Sequence, residues 1–124
     1  MAVTSKNTQR RAQRLLPLRP ADLQVLLILG DGALHAYGIS KAVQRQPGGR
    51  VRLEIGSLYR TLNRMRTEGL IDESGVRDTG PQGQERRTYR ITRFGRTVAS
   101  AEAERLRQVV AVARDRKFLP QEGS

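Results

Sequence analysis

The stretch GSLYRTLNRMRTEGLI, Gly56 to Ile71, decides the fold of this chain. The apolar residues in and just before it recur at spacings of three and four, as on one face of an α-helix: Ile55, Leu58, Leu62 and Met65. Arg60 and Arg64 fall on the opposite face, and Gly69 can cap the helix end. The sequence therefore predicts a helix over 56–68 with one apolar and one cationic side. A helix of this kind suits a groove of DNA.

The charge of the whole chain agrees with a polyanionic partner. In 124 residues, 23 Lys and Arg stand against 12 Asp and Glu, which gives a net charge of +11. Arginine makes up most of the excess. It keeps its charge and can form bidentate hydrogen bonds with phosphate or guanine. A basic surface that serves only solubility is the alternative interpretation.

The composition also excludes several classes of site. Without cysteine, the chain has no disulfide, thiol nucleophile or Cys-based zinc site, and a reducing, cytoplasmic location is permitted. His35 is the single histidine, so we expect no metal and no cofactor, and its place at a predicted helix start suggests a structural contact. The apolar run Val25–Leu29 is too short to span a membrane. No catalytic constellation is apparent, so we expect no enzyme activity.

Residues 1–18 are predicted to form a flexible basic arm, because they combine Lys and Arg with Ser, Thr, Asn and Gln and contain no acid. Arg10, Arg11 and Arg14 are its candidate DNA contacts, to phosphates or a minor groove. A solvated tail without a site of its own is the other interpretation, and the sequence does not choose between them.

A compact domain is predicted over residues 19–92. Helices are expected over 20–29, where Pro20 can occupy the first turn, and from Ala36 to just before Pro47. A very short strand is expected over 51–53.

A two-stranded wing should follow the 56–68 helix. Strands are predicted over 70–76 and 86–91, with a long turn over 78–83 between them. The basic residues at the base of this wing are placed to reach a phosphate backbone, and they are Arg77, Arg86 and Arg87.

The last predicted helix runs over 93–117, in a segment 93–118 that is followed by a tail at 119–124. Its apolar residues form a coiled-coil stripe with alternating spacings of four and three, and they are Ala99, Ala103, Leu106, Val110 and Ala113. Val109 broadens this apolar face. The domain is too small to bury this stripe, so we expect it to form a homodimer interface. The predicted fold is thus mainly α with a small β-hairpin: a winged helix-turn-helix domain and a long C-terminal dimerisation helix.

Four runs of sequence resemble the PadR family of bacterial transcriptional regulators in order and spacing. They are Leu34–Ile39, Gly56–Tyr59, Glu68–Ile71 and Arg87–Thr92, within a resemblance over about residues 23–113. A single terminal helix is similar to the shorter PadR subfamily. The resemblance implies a dimeric regulator that binds double-stranded DNA and represses nearby genes until a small molecule binds.

Arg60 and Arg64, four residues apart, are the predicted guanine readers, and phosphate contact is the alternative. Ser57 and Asn63 can bind phosphate or adenine. The alternatives are that Ser57 caps the helix and that Asn63 is solvated.

Two tyrosines complete the candidate interface. Tyr37 and Tyr59 stand at positions that the family resemblance implies are beside DNA, although half-buried tyrosines with satisfied hydroxyls are an equal alternative. The leading hypothesis for the whole chain is a homodimeric repressor. An architectural protein that coats DNA without sequence preference is the competing one.

Overall fold

The computed structural model describes residues 5–48, 54–80, 83 and 85–121, with the side chains of Ile55, residues 76–79 and Glu85 excepted. Within these residues, five helices pack with one antiparallel sheet. The helices are α1 (Lys6–Arg14), α2 (Pro20–Leu29), α3 (Ala36–Arg45), α4 (Ile55–Thr67) and α5 (Arg93–Asp115), and the strands are β1 (Leu34–His35), β2 (Ile71–Thr79) and β3 (Glu85–Ile91). The predicted mainly helical fold with a small hairpin is confirmed.

Helix α2 forms the centre of the core. Pro20 begins it, as predicted, because the missing amide hydrogen costs nothing in a first turn. The side chains of Val25, Leu26 and Leu29 are at most 1% exposed, and they pack with those of α3 and α4. Apolar residues on nearly every side make α2 a buried helix rather than a surface one.

Helix α3 begins at a histidine cap. The Nδ1 atom of His35 accepts a hydrogen bond from the amide of Gly38 at 2.9 Å, which satisfies one of the free amides of the first turn. The structural contact expected of this histidine is therefore present.

Helix α4 and the chain reversal after it follow the sequence closely. Leu58, Leu62 and Met65 are fully buried, as the spacing of three and four predicts. Gly69 has φ +80°, and the amide of Leu70 donates to the carbonyl of Met65 at 2.9 Å, which ends the helix and starts the hairpin.

The sheet contains the two predicted strands of the wing and a third strand, β1, that the sequence did not predict. Its order is β1-β3-β2, with Leu34 opposite Tyr89 and Ile71 opposite Ile91. A two-residue strand such as β1 has no periodicity to detect, and only its partner β3 makes it a strand. The expected strand 51–53 and residues 81, 82 and 84 of the turn lie outside the described residues.

The N-terminal segment differs from the expected flexible arm. Residues 6–14 form α1, capped by the Ser5 hydroxyl, which accepts from the amide of Thr8 at 3.1 Å. The helix packs on α5 and buries Ala12 completely, while Arg11 lies over the ring of Phe94 at 4.4 Å. This polar helix packs on α5 because the small side chain of Ala12 allows the two helices to approach closely and the side chain of Arg11 covers the ring of Phe94.

Helix α5 begins tightly against the hairpin. The Thr92 hydroxyl accepts from the amide of Gly95 at 2.9 Å and donates to the carbonyl of Gly69 at 2.6 Å. A Cβ at Gly95 would lie 2.1 Å from the carbonyl oxygen of Leu70, so only glycine permits this approach. In the described part of the chain, no helix is long and apolar enough to cross a membrane.

Candidate nucleic-acid interface

Helix α4 presents a polar face to solvent. The buried apolar side chains of this helix hold the opposite face against the core. Its exposed residues are Gly56, Tyr59, Arg60, Asn63, Arg66 and Thr67. None of these six is acidic, so the face can approach a polyanion without charge repulsion.

Arg60 lies in the middle of this exposed face. Its Nη2 atom donates to the hydroxyl of Ser57, one turn earlier, at 3.2 Å. The two side chains are thus neighbours on this side of α4, where Arg60 is exposed and Ser57 is partly buried. Asn63 is also exposed and lies one turn beyond Arg60 on the same side.

Arg64 is placed differently from the predicted guanine reader. Its Nη1 and Nη2 atoms donate to the two carboxylate oxygens of Asp22 on α2, each at 2.7 Å, and Nη1 also donates to Glu68 at 3.1 Å. The side chain of Asp22 is 4% exposed and that of Arg64 30%. The hydrogen bond to Asp22 raises the pKa of the Arg64 guanidinium, against the opposing effect of burial.

The energies favour keeping Arg64 on Asp22. Withdrawing one partner from a buried ion pair costs about 3 to 5 kcal/mol. A good bidentate contact with a base contributes about 1 to 3 kcal/mol of discrimination against the wrong base. Nothing in the local sequence around Asp22 indicates a partner 42 residues away.

Two aromatic rings and a cation lie on the surface of α3 and α4. Tyr37 is 52% exposed and Tyr59 48%, so both rings are accessible. The Nζ atom of Lys41 lies 4.9 Å above the ring of Tyr37, and the His35 ring stacks near that tyrosine at 6.4 Å. Lys41 was not singled out from the sequence, although its position four residues after Tyr37 on one helix was a signal.

The described cations of the wing have acid or imidazole neighbours. Arg86 is partly buried, with Nη1 3.1 Å from Nε2 of His35. Arg87 is exposed, and its Nη1 lies 3.5 Å from a carboxylate oxygen of Glu73 across the two strands. The side chain of Arg77 lies outside the described residues. An exposed pair of this kind is weak, so Arg87 can exchange its carboxylate for a phosphate at small cost.

A second basic surface lies on α1. Its exposed cations are Lys6, Arg10, Arg11 and Arg14, and the helix contains no acid. These charges are displayed from a helix that packs on α5.

The C-terminal half of α5 leaves the domain core. Val98 and Glu102, in the first half, are buried, whereas Val109 is 51% and Val112 53% exposed. Of the other predicted interface residues, Ala103 is exposed and the rest are partly buried: Ala99, Leu106, Val110 and Ala113. In the described part of the chain, no three acidic or histidine side chains are grouped to hold a metal ion.

The sequence matches the family model of the transcriptional regulator PadR-like family over residues 25–101, which is more than half of the chain. The chain belongs to the PadR-like family. A search of curated proteins gave no match.

Solved structures of PadR-like regulators share the fold. A PadR family transcription regulator from Clostridium difficile has a TM-score of 0.66 at 23% identity, covering 78% of this chain and 97% of its own. A PadR-like regulator from Bacillus cereus has a TM-score of 0.63 at 21% identity, covering 91% and 99%. Bacillus subtilis PadR, solved in complex with operator DNA, has a TM-score of 0.57 at 20% identity, covering 67% and 47%. The winged helix-turn-helix fold predicted for this PadR-like chain is therefore confirmed.

Proposed function

We propose that this PadR-like chain is a sequence-specific transcriptional repressor that binds double-stranded DNA as a homodimer. The exposed, acid-free face of α4 is the observation that carries the proposal. A helix held from behind by buried Leu58, Leu62 and Met65 can enter a major groove without losing its packing. The operator complex of Bacillus subtilis PadR supports DNA as the partner.

The exposed residues divide into two roles in this proposal. Arg60 and Asn63 project from the middle of α4 and make contacts to base edges. The phosphate contacts come from residues at the margins: Tyr37, Lys41, Ser57, Tyr59, Arg77, Arg86 and Arg87. Contacts of this second kind hold the helix in register and carry no sequence information.

The second half of α5 is the proposed dimer interface. Val109 and Val112 are each about half exposed on a helix that extends past the core. Exposed valines at this spacing, beside Leu106 and Val110, form a continuous apolar stripe. A second copy of the same helix buries that stripe and brings two α4 helices to one face. The centres of the two half-sites should then lie about 10 base pairs apart.

Release by a small molecule is part of the proposal, and it rests on the family resemblance and the broad apolar face of α5. An effector must bind the DNA-free and DNA-bound forms unequally to act. Calorimetric titrations of DNA with and without candidate compounds would measure this coupling. A regulator of chromosomal genes must be in the same compartment as the chromosome, so the proposal includes a cytoplasmic location.

Selection of bound duplexes from a random-sequence pool, at physiological salt, tests the proposal. A repressor should enrich one palindromic sequence and bind it about a thousandfold or more tightly than random DNA. An affinity ratio near one would instead support the architectural alternative, for which the α1 and wing cations would suffice through counterion release. Transcription from a promoter that carries the selected site should fall when the protein is added, and an increase would contradict repression.

A further inference from the structure

The two arginines that the sequence predicts on the outer side of α4 are in different environments. Arg60 is exposed, and its guanidinium lies beside the hydroxyl of Ser57, a neighbour on the same surface. Arg64 reaches across to α2, where it binds both oxygens of a carboxylate that is almost completely buried. Only the first of these arginines can turn toward DNA without leaving a buried charge behind.

The position of each residue around the helix agrees with this difference. With the buried residues Leu58 and Met65 taken as the inner side, Arg60 lies on the outer side and Arg64 on the flank that faces α2. Glu68, one turn after Arg64, lies on the same flank and binds the same guanidinium at 3.1 Å. The guanidinium is thus held from two helical elements at once.

We infer that Arg64 is a positioning residue, which fixes the rotation of α4 against α2 through Asp22, and that Arg60 makes the base contact. Apolar packing is non-directional, so the buried leucines of α4 alone would allow the helix to rotate slightly. A bidentate guanidinium–carboxylate pair has a planar, directional geometry and removes that freedom. This inference rests on the proposed function, because it concerns how α4 selects a sequence.

A double-mutant cycle on the full-length chain tests the inference. The variants are Arg64→Gln, Asp22→Asn and the two together, with Arg60→Gln as the matched control on the same helix. Each is titrated with the duplex that the wild-type chain selects from a random pool, and with every single-base variant of that duplex. All titrations are made well below the unfolding temperature of each variant.

Arg60→Gln should reduce discrimination at one base pair about tenfold or more. Arg64→Gln and Asp22→Asn should both weaken binding to the selected duplex by similar factors and lower discrimination over several base pairs. The double variant should bind about as well as either single one, because both changes break the same link. Relaxation at one base pair by Arg64→Gln, without an effect of Asp22→Asn, would overturn the inference.

A measurement on the wild-type chain covers the case in which a variant does not fold. The guanidinium NMR signals of Arg60 and Arg64, assigned in the wild-type chain by through-bond correlation to their own backbone signals, are compared in free and DNA-bound protein. The Arg60 signal should shift on binding and the Arg64 signal should stay, whereas a comparable shift of both would overturn the inference. If the wild-type chain selects no sequence at all, the proposed function fails instead, and the two failures are thereby distinguished.

Discussion

Gly95 lies where the backbone of α5 touches the chain that enters β2. A Cβ there would be 2.1 Å from the carbonyl oxygen of Leu70 and 2.9 Å from Ile91. Gly95→Ala should therefore lower the free energy of unfolding by about 1 to 3 kcal/mol or more, as overpacking does, although alanine is the better helix former. Chemical denaturation measures this change.

Gly56 provides the matched control for Gly95. It lies in the first turn of α4, and a Cβ at that position meets nothing within 4 Å. Gly56→Ala should raise the free energy of unfolding by about 0.5 to 1 kcal/mol, or leave it unchanged. Equal destabilisation by the two changes would contradict the close approach at Gly95.

At the scale of elements, a buried carboxylate joins α5 to the segment before α2. Glu102 is 1% exposed, and its Oε2 accepts from the amide of Leu18 at 2.8 Å while Arg105 donates to Oε1 at 2.5 Å. The hydrogen bond from Arg105, followed by that from Leu18, lowers the pKa of the Glu102 carboxyl, against the effect of its burial. The ionised carboxylate is therefore part of the folded state.

Glu102→Gln should lower the free energy of unfolding at neutral pH by about 1 to 3 kcal/mol, since hydrogen bonds to a charged group are lost. A lowered folded-state pKa stabilises the chain at pH values above the ordinary carboxyl pKa, and this contribution is lost as the pH falls through the folded-state pKa. Between pH 7 and pH 3, the free energy of unfolding obtained from denaturation curves should thus decrease less steeply for the variant than for the wild-type chain. Glu104→Gln, in an exposed pair with Arg107, is the control and should change little.

At the scale of the whole molecule, the oligomeric state depends on the half of α5 that lies beyond the core. Val109→Glu should convert the proposed dimer to monomers without unfolding the domain, because this side chain is already 51% exposed in one chain. Sedimentation velocity measures the change. Gln108→Glu adds the same charge to a neighbouring exposed position and should leave the dimer intact. A dimer that survives Val109→Glu would move the interface elsewhere.

The charge of α1 should contribute to DNA affinity without contributing to specificity. Removing the segment would expose the surface that Ala12 covers, so substitution is the better test. Arg10→Gln with Arg14→Gln should reduce the slope of log affinity against log salt by up to about 1.8, on specific and random DNA alike. Arg107→Gln with Arg116→Gln removes the same charge from α5 and the residue that caps its C-terminus, and an equal effect would show that only net charge matters.

The sequence by itself determined the elements whose signals are local. The spacing of Leu58, Leu62 and Met65 predicted the buried face of α4, and Gly69 predicted its end. Pro20 predicted the start of α2, and the strand predicted over 86–91 is β3, whereas β2 extends three residues past the predicted 70–76. These predictions succeed because backbone preferences and one-sided burial act over a few neighbouring residues.

Only the tertiary structure decided which side chains meet across the chain. Arg64 pairs with Asp22 over 42 positions, and Glu102 with Leu18 over 84. An arginine on a helix has the same local signature whether it faces solvent, DNA or a buried carboxylate, so its role depends on what the fold brings beside it. The same reason explains why the sequence did not predict α1. Its polar residues indicate a solvated segment, and only the contact with α5 buries Ala12.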